Sequence, residues 1–343
     1  MRPVSPRLAA TLIGTLLATV LTGGAFAAGG AGTASSTAVD CSDALASTTP
    51  LSYAAHRACV IAVAATYLDA GQHTLSPDDV LFDPSVSIYK IGTAPMHGPS
   101  NAAMYRKQLL ASTTTRIIKR EWVVDGNDAF VSYDGYTKAS EAKPAFYLAE
   151  RFTLRNGLIW EVLQTPMQVG QPALTGFPNT PVVEVTGPPA TASATPNYSD
   201  PFWCTDWIGV HGDNALTITQ HRQCMIAIAS TYVNAEENST PGNQIMFDPR
   251  FSRYSLGGLP AHAPSNSDLI RTQEGRYQGT YNRVIRKIKH RHWTVDGDQA
   301  WIVYDGYLVI STTHPGFYVA ERFTIRNGLI WQIMIAPITT SIP

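Results

Sequence analysis

Two glutamates at matching places in the sequence are the residues best suited to acid–base chemistry. In a strand that begins at Phe146, every second side chain lies on the same face, so Glu150 shares a face with Leu148 and Phe152. Glu321 occupies the corresponding place in a later, nearly identical segment. A carboxylate among apolar side chains costs free energy unless it is paired or protonated, and burial raises its pKa toward the range of a general acid or base.

The same pattern also fits a structural role for Glu150. A cationic side chain could neutralise the buried carboxylate as a core ion pair. The partners available in the same half of the chain are His97, Arg106 and Arg120. The two hypotheses differ in whether a cation contacts the carboxylate.

Asp134 and Asp305 are a second pair of candidate catalytic carboxyls. Each precedes Gly-Tyr in a strand-like segment that comes just before the strand with the glutamate. Two carboxylates that face one pocket can have pKa values that are pushed apart, so that one serves as acid and the other as base. The alternatives are a solvated or structural aspartate, and a β-bulge at the glycine, since glycine inside a strand often marks one.

His97 and His262 complete the candidate catalytic residues. Each lies in a proline-containing loop, and a histidine in such a loop can titrate near neutral pH. The alternative is a loop histidine that bonds only to backbone groups. The aromatic side chains that we expect to contact a ligand are Trp122, Tyr136, Trp293 and Tyr307.

The sequence contains none of the common cofactor or nucleophile motifs. It has no HExxH, GxSxG, Walker or GxGxxG pattern. We therefore expect no metal ion and no cofactor.

Composition and charge exclude several classes of protein. The chain has 343 residues, of which 44% are hydrophobic and 15% charged, and its net charge is −1. Such a composition is not that of a disordered chain, and it gives no support for a nucleic-acid or membrane-surface partner. A local basic run, Arg283–His292, predicts either an exposed edge strand protected by charge or a site for an anionic ligand.

The chain contains one unit written twice. Phe146–Trp160 reads FYLAERFTLRNGLIW and Phe317–Trp331 reads FYVAERFTIRNGLIW. Matched residues are 165 positions apart early in the unit (His56 and His221) and 171 apart late in it. The second copy therefore carries six extra residues, and the long period indicates duplicated domains rather than a solenoid.

The repeats are flanked by segments of different composition. Residues 1–27 have the basic start, apolar run and small-x-small end of a secretory signal peptide, and 28–39 read as a flexible leader. The repeats span 40–166 and 203–343, and a proline-rich linker, 167–202, joins them. We expect a secreted protein that has no contact with a membrane once the signal is removed.

The four cysteines fit an exported protein. Cys41 and Cys59 are separated by 18 residues, and Cys204 and Cys224 by 20. In an oxidising compartment the simplest pairing is Cys41–Cys59 and Cys204–Cys224, which would tie an N-terminal arm to the following helix in each repeat. Zinc binding and a nucleophilic cysteine are the alternatives.

Periodicity predicts one long helix and then a set of strands in each repeat. The Ala-rich segment Tyr53–Ala70 reads as a buried helix, and Ser100–Leu110 as a second helix. Strands are predicted around Val86–Ile91 and then as an antiparallel meander with turns at Asp125-Gly126 and Asn156-Gly157. The fold class is α+β, with a helix packed on a curved antiparallel sheet.

The helix HRACVIAVAATYLDA with FDP after it, and the hairpin ERFTLRNGLIWEV, resemble the nuclear transport factor 2-like superfamily, also called SnoaL-like. The resemblance covers each repeat, and its Arg-x-Cys helix is similar to an uncharacterised secreted branch. It implies a cone-shaped domain with a pocket between sheet and helices. It also implies that two such domains pair through their sheets, here within one chain.

These observations leave three functions open. The first is a secreted protein that binds a small apolar or aromatic molecule in the cone pocket of each domain. The second is an isomerase, cyclase or dehydratase that uses the pocket carboxyls and histidines, which are activities known in the superfamily. The third is a structural or interaction module whose pockets are filled by side chains.

Overall fold

A computed structural model describes residues 36–169, 195–212, 215–238, 244–264, 266–267, 285–310 and 313–340. The predicted signal peptide lies outside these residues, as do most of the linker and most of the leader. Residues 36–39 of the predicted leader are described, and they form the start of a helix in which Ala38 is buried. Both repeats lie in one compact unit, Gly32–Pro343. None of the described helices is long and apolar enough to cross a membrane.

The first repeat has helices on both sides of its first strand and then a run of strands. Its helices are α1 (Ser36–Ala46), α2 (Tyr53–Gly71) and α3 (Asn101–Leu110). Its strands are β1 (Phe82–Lys90), β2 (Thr114–Asp125), β3 (Asp128–Thr137), β4 (Phe146–Arg155), β5 (Leu158–Gln164) and the short β6 (Gln168–Val169).

The second repeat has the same order of described elements. Its helices are α4 (Pro201–His211) and α5 (Ile218–Asn238). Its strands are β7 (Phe247–Ser255), β8 (Ile285–Asp296), β9 (Gln299–Leu308), β10 (Phe317–Arg326) and β11 (Leu329–Ile335). The basic run of the sequence lies mostly in β8.

Each repeat forms one mixed sheet. The strand orders are β1-β5-β4-β3-β2, with β6 beside β4, and β7-β11-β10-β9-β8. The four later strands of each sheet are antiparallel neighbours, as predicted, whereas β1 and β7 run parallel to the last long strand. The prediction of an α+β fold is confirmed.

A long helix covers one face of each sheet, which we call the inner face. Helix α2 begins after Ser52, whose hydroxyl accepts a hydrogen bond from the Ala55 amide. Its apolar side chains, including Val63, pack in one cluster with Leu148 and Phe152 of β4. The opposite face, which carries Tyr147, Ala149 and Arg151 on β4, is the outer face.

The predicted hairpin turn at Asn156-Gly157 is present and has a structural reason. Both residues have positive φ, 51° and 74°, a conformation that asparagine and glycine adopt at low cost. A Cβ atom on Gly157 would lie 2.0 Å from the carbonyl oxygen of Ser42 in α1. Glycine therefore lets helix α1 approach the turn, and Gly328 has the same role against Thr205 in the second repeat.

The predicted disulfides are confirmed. Cys41 of α1 is bonded to Cys59 of α2, and Cys204 of α4 to Cys224 of α5. The N-terminal arms that they attach are helices, which the sequence did not predict. The described residues include no free cysteine.

The outer faces of the two sheets contact each other. One buried cluster contains Phe130 and Tyr147 from the first repeat together with Trp301 and Met334 from the second. The rings of Phe130 and Trp301 stack with centroids 4.7 Å apart and planes within 5°. These two residues occupy the same position in the two repeats, so the contact joins equivalent surfaces.

Ion pairs across this contact are reciprocal. Arg57 Nε lies 2.6 Å from Asp296 Oδ2, and Arg222 Nε lies 2.7 Å from Asp125 Oδ2. Arg57 matches Arg222 and Asp125 matches Asp296 in the repeat. Asp296 Oδ2 also accepts a hydrogen bond from the Val124 amide, and Asp125 Oδ2 accepts one from the Val295 amide, each at 3.2 Å. Exchange of equivalent contacts is the pattern of an isologous interface.

Candidate functional site

Glu150 lies on the inner face of the first sheet and is fully buried. Its Oε2 accepts a hydrogen bond from the Tyr133 hydroxyl at 2.9 Å, and its Oε1 accepts one from Gln164 Nε2 at 2.7 Å. Burial raises the pKa of Glu150 to about 7, although the hydrogen bonds from Gln164 and Tyr133 lower it. Burial also raises the pKa of Tyr133 well above its usual value, so its hydroxyl remains a donor.

The partners of Glu150 are therefore neutral, and the core ion pair considered from the sequence is not formed by the expected cations. Arg106 donates to the carbonyl oxygen of Val80, and Arg120 lies 2.7 Å from Asp69. Glu150 is held as a hydrogen-bonded carboxyl in an apolar cluster. In this state it can be neutral near pH 7.

The interior of the second repeat has a different polar arrangement. Glu321 is also buried on the inner face, and Tyr304, the equivalent of Tyr133, lies 3.3 Å from its Oε2. The same hydroxyl lies 3.0 Å from Oε2 of Glu236 on α5. A tyrosine hydroxyl has one proton to donate, so two carboxyl groups compete for it or one of them supplies a proton of its own.

An arginine adds a positive charge to this interior. Arg253 on β7 donates from Nη1 to the Tyr232 hydroxyl at 3.0 Å. Tyr232 packs edge-on against Phe323. The pKa of the Tyr304 hydroxyl is raised well above its usual value, first by burial, then by Glu236 and Glu321, and to a smaller extent by Tyr232.

Among the described residues, three substitutions at matched positions change the polar groups around the buried glutamate. Where the second repeat has Glu236, Arg253 and Ile335, the first has Gly71, Ile88 and Gln164. The first repeat thus has one carboxyl with two neutral donors. The second has two carboxyls, a shared tyrosine and an arginine.

Asp134 lies on the outer face, away from Glu150. Its cross-strand neighbour is Tyr147, whereas Val131 is the neighbour of Glu150. Side chains opposite each other across a ladder share a face, so the register separates the two carboxyls, contrary to the shared pocket that we expected. Asp134 pairs with Lys119 Nζ at 2.9 Å instead.

Asp305 follows the same pattern in the second repeat. It is opposite Tyr318 on the outer face, and its Oδ2 lies 2.5 Å from His290 Nδ1. His290 and Lys119 occupy matched positions with φ of 51° and 53°, inside a register shift of β8 and β2. The bulge considered at the glycine of Asp-Gly-Tyr thus lies on the neighbouring strand.

His97 and His262 lie outside the inner pockets and stack on tryptophans. His97 is parallel to Trp160 at 3.7 Å, and its Nδ1 and Nε2 contact Ser85 O at 2.8 Å and Glu161 Oε1 at 3.1 Å. Glu161 is opposite Thr153 on the outer face, so the structure does not bring His97 to Glu150.

The second histidine has the same position, but its Nε2 contacts a donor where that of His97 contacts an acceptor. His262 stacks on Trp331 at 3.9 Å and contacts Arg250 O at 2.7 Å. Gln332, the equivalent of Glu161, places its Nε2 3.0 Å from His262 Nε2. These contacts fix the loops on the sheets.

The four candidate aromatic residues divide between the faces. Trp122 and Trp293 pack against Phe152 and Phe323 on the inner faces, at centroid distances of 6.1 Å. Tyr136 and Tyr307 belong to the outer faces, where Arg116 and Lys289 lie over their rings at 4.0 and 4.2 Å. Only the tryptophans are near the buried glutamates.

Strand β8 carries the basic run at the edge of the second sheet, as one of the two hypotheses predicted. Several of its cations have acidic partners: Arg291 contacts Glu237 at 2.6 Å and His292 contacts Asp128 at 3.1 Å. His290 and His292 have the HxH spacing of some metal sites, contrary to our expectation that the sequence holds no such spacing, but they bond to different aspartates. Among the described residues no group of three or more His, Cys, Asp or Glu is placed to hold a metal ion.

Sequence reasoning missed Tyr133, Tyr304, Glu236 and Arg253. Glu236 and Arg253 could have been found by aligning the two repeats, because they replace a glycine and an isoleucine at matched positions. The tyrosines were visible only as members of the strand that contains the candidate aspartates.

Comparison with known proteins gives one family match. Residues 219–336 match the family described as "Domain of unknown function (DUF8021)". No curated protein matches this chain.

Several solved structures are similar to part of the chain. The de novo designed NTF2 fold protein NT-9 is 24% identical, with 34% of this chain and 88% of that chain covered and a TM-score of 0.25. A LEH-like epoxide hydrolase of M. tuberculosis is 16% identical, with 33% and 80% covered and a TM-score of 0.26. A candidate isomerase of the SnoaL-like family from Agrobacterium tumefaciens is 15% identical, with 31% and 94% covered and a TM-score of 0.25.

Proposed function

We propose that this chain is a secreted small-molecule-binding protein whose binding site is the interior of the second repeat. One observation carries the proposal: Glu236 and Glu321 meet at the Tyr304 hydroxyl, and Arg253 bonds to the neighbouring Tyr232. The sequence favoured a pocket in each repeat. The contrast between the interiors now favours the second.

The first repeat serves as an internal control for the cost of these charges. Desolvating charged side chains inside a domain costs several kcal/mol unless they are well paired. The first repeat builds the same helix and sheet with Gly71 and Ile88 at the positions of Glu236 and Arg253. The fold therefore does not require the extra charges, and charged groups that a fold does not require are typical of functional sites.

The side chains of this interior indicate the class of ligand that it would bind. Trp293, Phe323 and Tyr232 offer aromatic contacts, while Arg253 and the glutamates offer a donor and acceptors. A small aromatic molecule that carries a hydrogen-bonding group fits both kinds of contact. In the first repeat, Glu150 is satisfied by Tyr133 and Gln164, and we assign that interior a structural role.

Native mass spectrometry of the full chain from the culture medium of a secreting host tests this proposal. We expect a retained small molecule in the wild type, its loss in Arg253→Ile and in Glu236→Gly, and its retention in Arg286→Ile, an exposed control on β8. Each test variant installs the residue of the first repeat. Retention of the molecule in both test variants, or a wild type without any adduct, would overturn the proposal.

Acid–base catalysis is the second candidate function, and the shared hydroxyl of Tyr304 favours it. Two carboxyls on one proton donor can form the acid and base of a proton-transfer reaction, such as an isomerisation. Incubation of the retained molecule with the protein in D₂O tests this. A catalytic base at Glu321 predicts deuterium incorporation at carbon that Glu321→Gln abolishes, and absence of exchange supports binding alone.

We also propose that the repeats are cone-shaped domains paired as an intramolecular pseudo-dimer. The reciprocal ion pairs and the Phe130–Trp301 stack support this arrangement. The two disulfides support export, and we expect the secreted protein to begin at Ala28. N-terminal sequencing of protein from the medium checks the cleavage site.

A further inference from the structure

A cleft of about 700 Å³ lies between the two repeats, at the N-terminal ends of α2 and α5. The two Asp-Gly hairpins, at Gly126 and Gly297, form its other walls. It is separate from the interior of the second repeat, since neither glutamate of that interior lines it. Its volume lies within the range of small-molecule sites, which is about 300–1,000 Å³.

Matched residues line the cleft from both sides. Leu51 is matched by Leu216 of the other repeat, His56 by His221 and Val124 by Val295. Among these lining residues, one matched pair differs in residue type, since the first repeat has Tyr53 and the second has Ile218, and Asp125 and Arg222 line the cleft without their counterparts.

The charged groups at the cleft neutralise each other. Asp125 pairs with Arg222, and Asp296 pairs with Arg57 and accepts a hydrogen bond from the Tyr53 hydroxyl at 2.5 Å. Among the described residues, these two ion pairs occupy the carboxylates and guanidinium groups at the cleft. The remaining lining is apolar apart from the imidazoles of His56 and His221, so the apolar side chains are the main surface available for binding.

Two of these side chains are exposed. Ile218 is 65% exposed and Tyr53 is 45% exposed, although large apolar residues on facing walls of a cleft are costly to leave in water. A ligand that covers both would recover this free energy without displacing any ion pair.

We propose that the cleft binds one neutral, predominantly apolar small molecule per chain. Such a ligand complements a lining whose charges are internally paired, and it would contact both repeats at once. Binding would therefore favour the paired arrangement of the repeats.

Titration with the neutral dye N-phenyl-1-naphthylamine tests this site. We expect fluorescence enhancement with one dye per chain, and a roughly tenfold weaker Kd for Ile218→Asp, which places a charge on the apolar wall. Ile218 is the exposed first residue of α5, where an aspartate is well tolerated, so folding should be unaffected. The matched control is Ile310→Asp, at an isoleucine that is 90% exposed away from the cleft.

Several results would overturn the proposal. They are absence of dye binding, equal loss in both isoleucine variants, and loss in Arg253→Ile, which would place the dye in the interior of the second repeat. Gel filtration completes the test: a wild-type dimer that Ile218→Asp converts to a monomer would show that a second copy of the chain occupies the cleft.

Discussion

The two repeats share a fold and a buried glutamate, but they satisfy that glutamate differently. In the first repeat, Glu150 has two neutral donors and lies in an apolar cluster. In the second, Glu321 shares the Tyr304 hydroxyl with Glu236. The glutamate itself is thus part of the repeat unit, whereas the second carboxyl belongs to one copy alone.

This difference distinguishes the buried groups that the fold requires from those that a functional site would add. Two copies joined in one chain need not keep the same chemistry, because one copy can have a structural role while the other has the charged residues of a functional site. The substitutions that distinguish the interiors are few, so each can be exchanged between the repeats by mutation.

The largest expected effect is the removal of the buried acid in the first repeat. The folded pKa of Glu150, about 7, is above its ordinary value of 4.5, so its stabilising contribution is complete below pH 4.5 and is lost as the pH rises to 7. The shift corresponds to about 3 kcal/mol. We expect Glu150→Gln to be more stable than the wild type by up to that amount at pH 8 and equal to it at pH 4.

Urea unfolding at intervals from pH 4 to pH 8 measures this difference. The control is Glu141→Gln at an exposed glutamate, which should not change the pH dependence. A Glu150→Gln variant that keeps the wild-type slope between pH 4.5 and 7 would show that the acid is ionised in the folded protein.

The next effect comes from transplanting an isoleucine into the first repeat. Gln164→Ile installs the residue of the second repeat and leaves Glu150 Oε1 without its 2.7 Å donor. A buried acceptor that loses its donor costs about 1–3 kcal/mol, and less when the carboxyl is protonated. We therefore expect a loss of stability at pH 8 that is smaller at pH 5.

The matched control for this variant is Gln168→Ile, at an amide that donates, within the described part of the chain, to the backbone oxygen of Val169. Equal stability losses in the two variants would mean that isoleucine itself, rather than the lost donor, is responsible. Double-mutant analysis with Glu150→Gln then isolates the coupling between the two side chains.

A smaller loss of stability is expected from breaking the reciprocal ion pairs, which are nearly identical in the two repeats. Arg57 and Arg222 are both about two-fifths exposed, so each pair is worth about 1 kcal/mol or less. We expect Arg222→Ala to cost more than Arg57→Ala, because Asp296 keeps the hydrogen bond from the Tyr53 hydroxyl, whereas Ile218, which matches Tyr53, has no hydroxyl to donate to Asp125. Thermal melts at low and high salt measure both losses, and a larger cost for Arg57→Ala would contradict this account.

Much of the fold was predictable because its elements have clear local signals. The Ala-rich apolar run predicted helix α2 nearly to its ends, and the turn at Asn156-Gly157 lies between β4 and β5, as predicted. Helices α1 and α4 were not predicted, since they are short and tertiary contacts and disulfides hold them in place. Local propensity is a weak guide for such segments.

The site was predictable within a strand but not between strands. The alternating pattern of apolar residues correctly placed Glu150 on the apolar face of β4, because successive side chains of a strand point to opposite faces of the sheet. It could not place Asp134 relative to Glu150, since the relation between two strands depends on register, and the loop from Thr137 to Phe146 does not specify one. The tyrosine one residue before Asp134 is the actual neighbour of the glutamate.

The smallest expected effect is at the histidines that stack on tryptophans. His97 contacts two acceptors, Ser85 O through Nδ1 and Glu161 Oε1 through Nε2, whereas His262 Nε2 contacts the donor amide of Gln332. Glu161→Gln installs the partner of the second repeat. We expect a stability change below about 1 kcal/mol, measured by urea unfolding, because the contact between His97 and Glu161 is partly exposed to solvent. A much larger loss would mean that Glu161, rather than the stack of His97 on Trp160, holds the loop on the sheet.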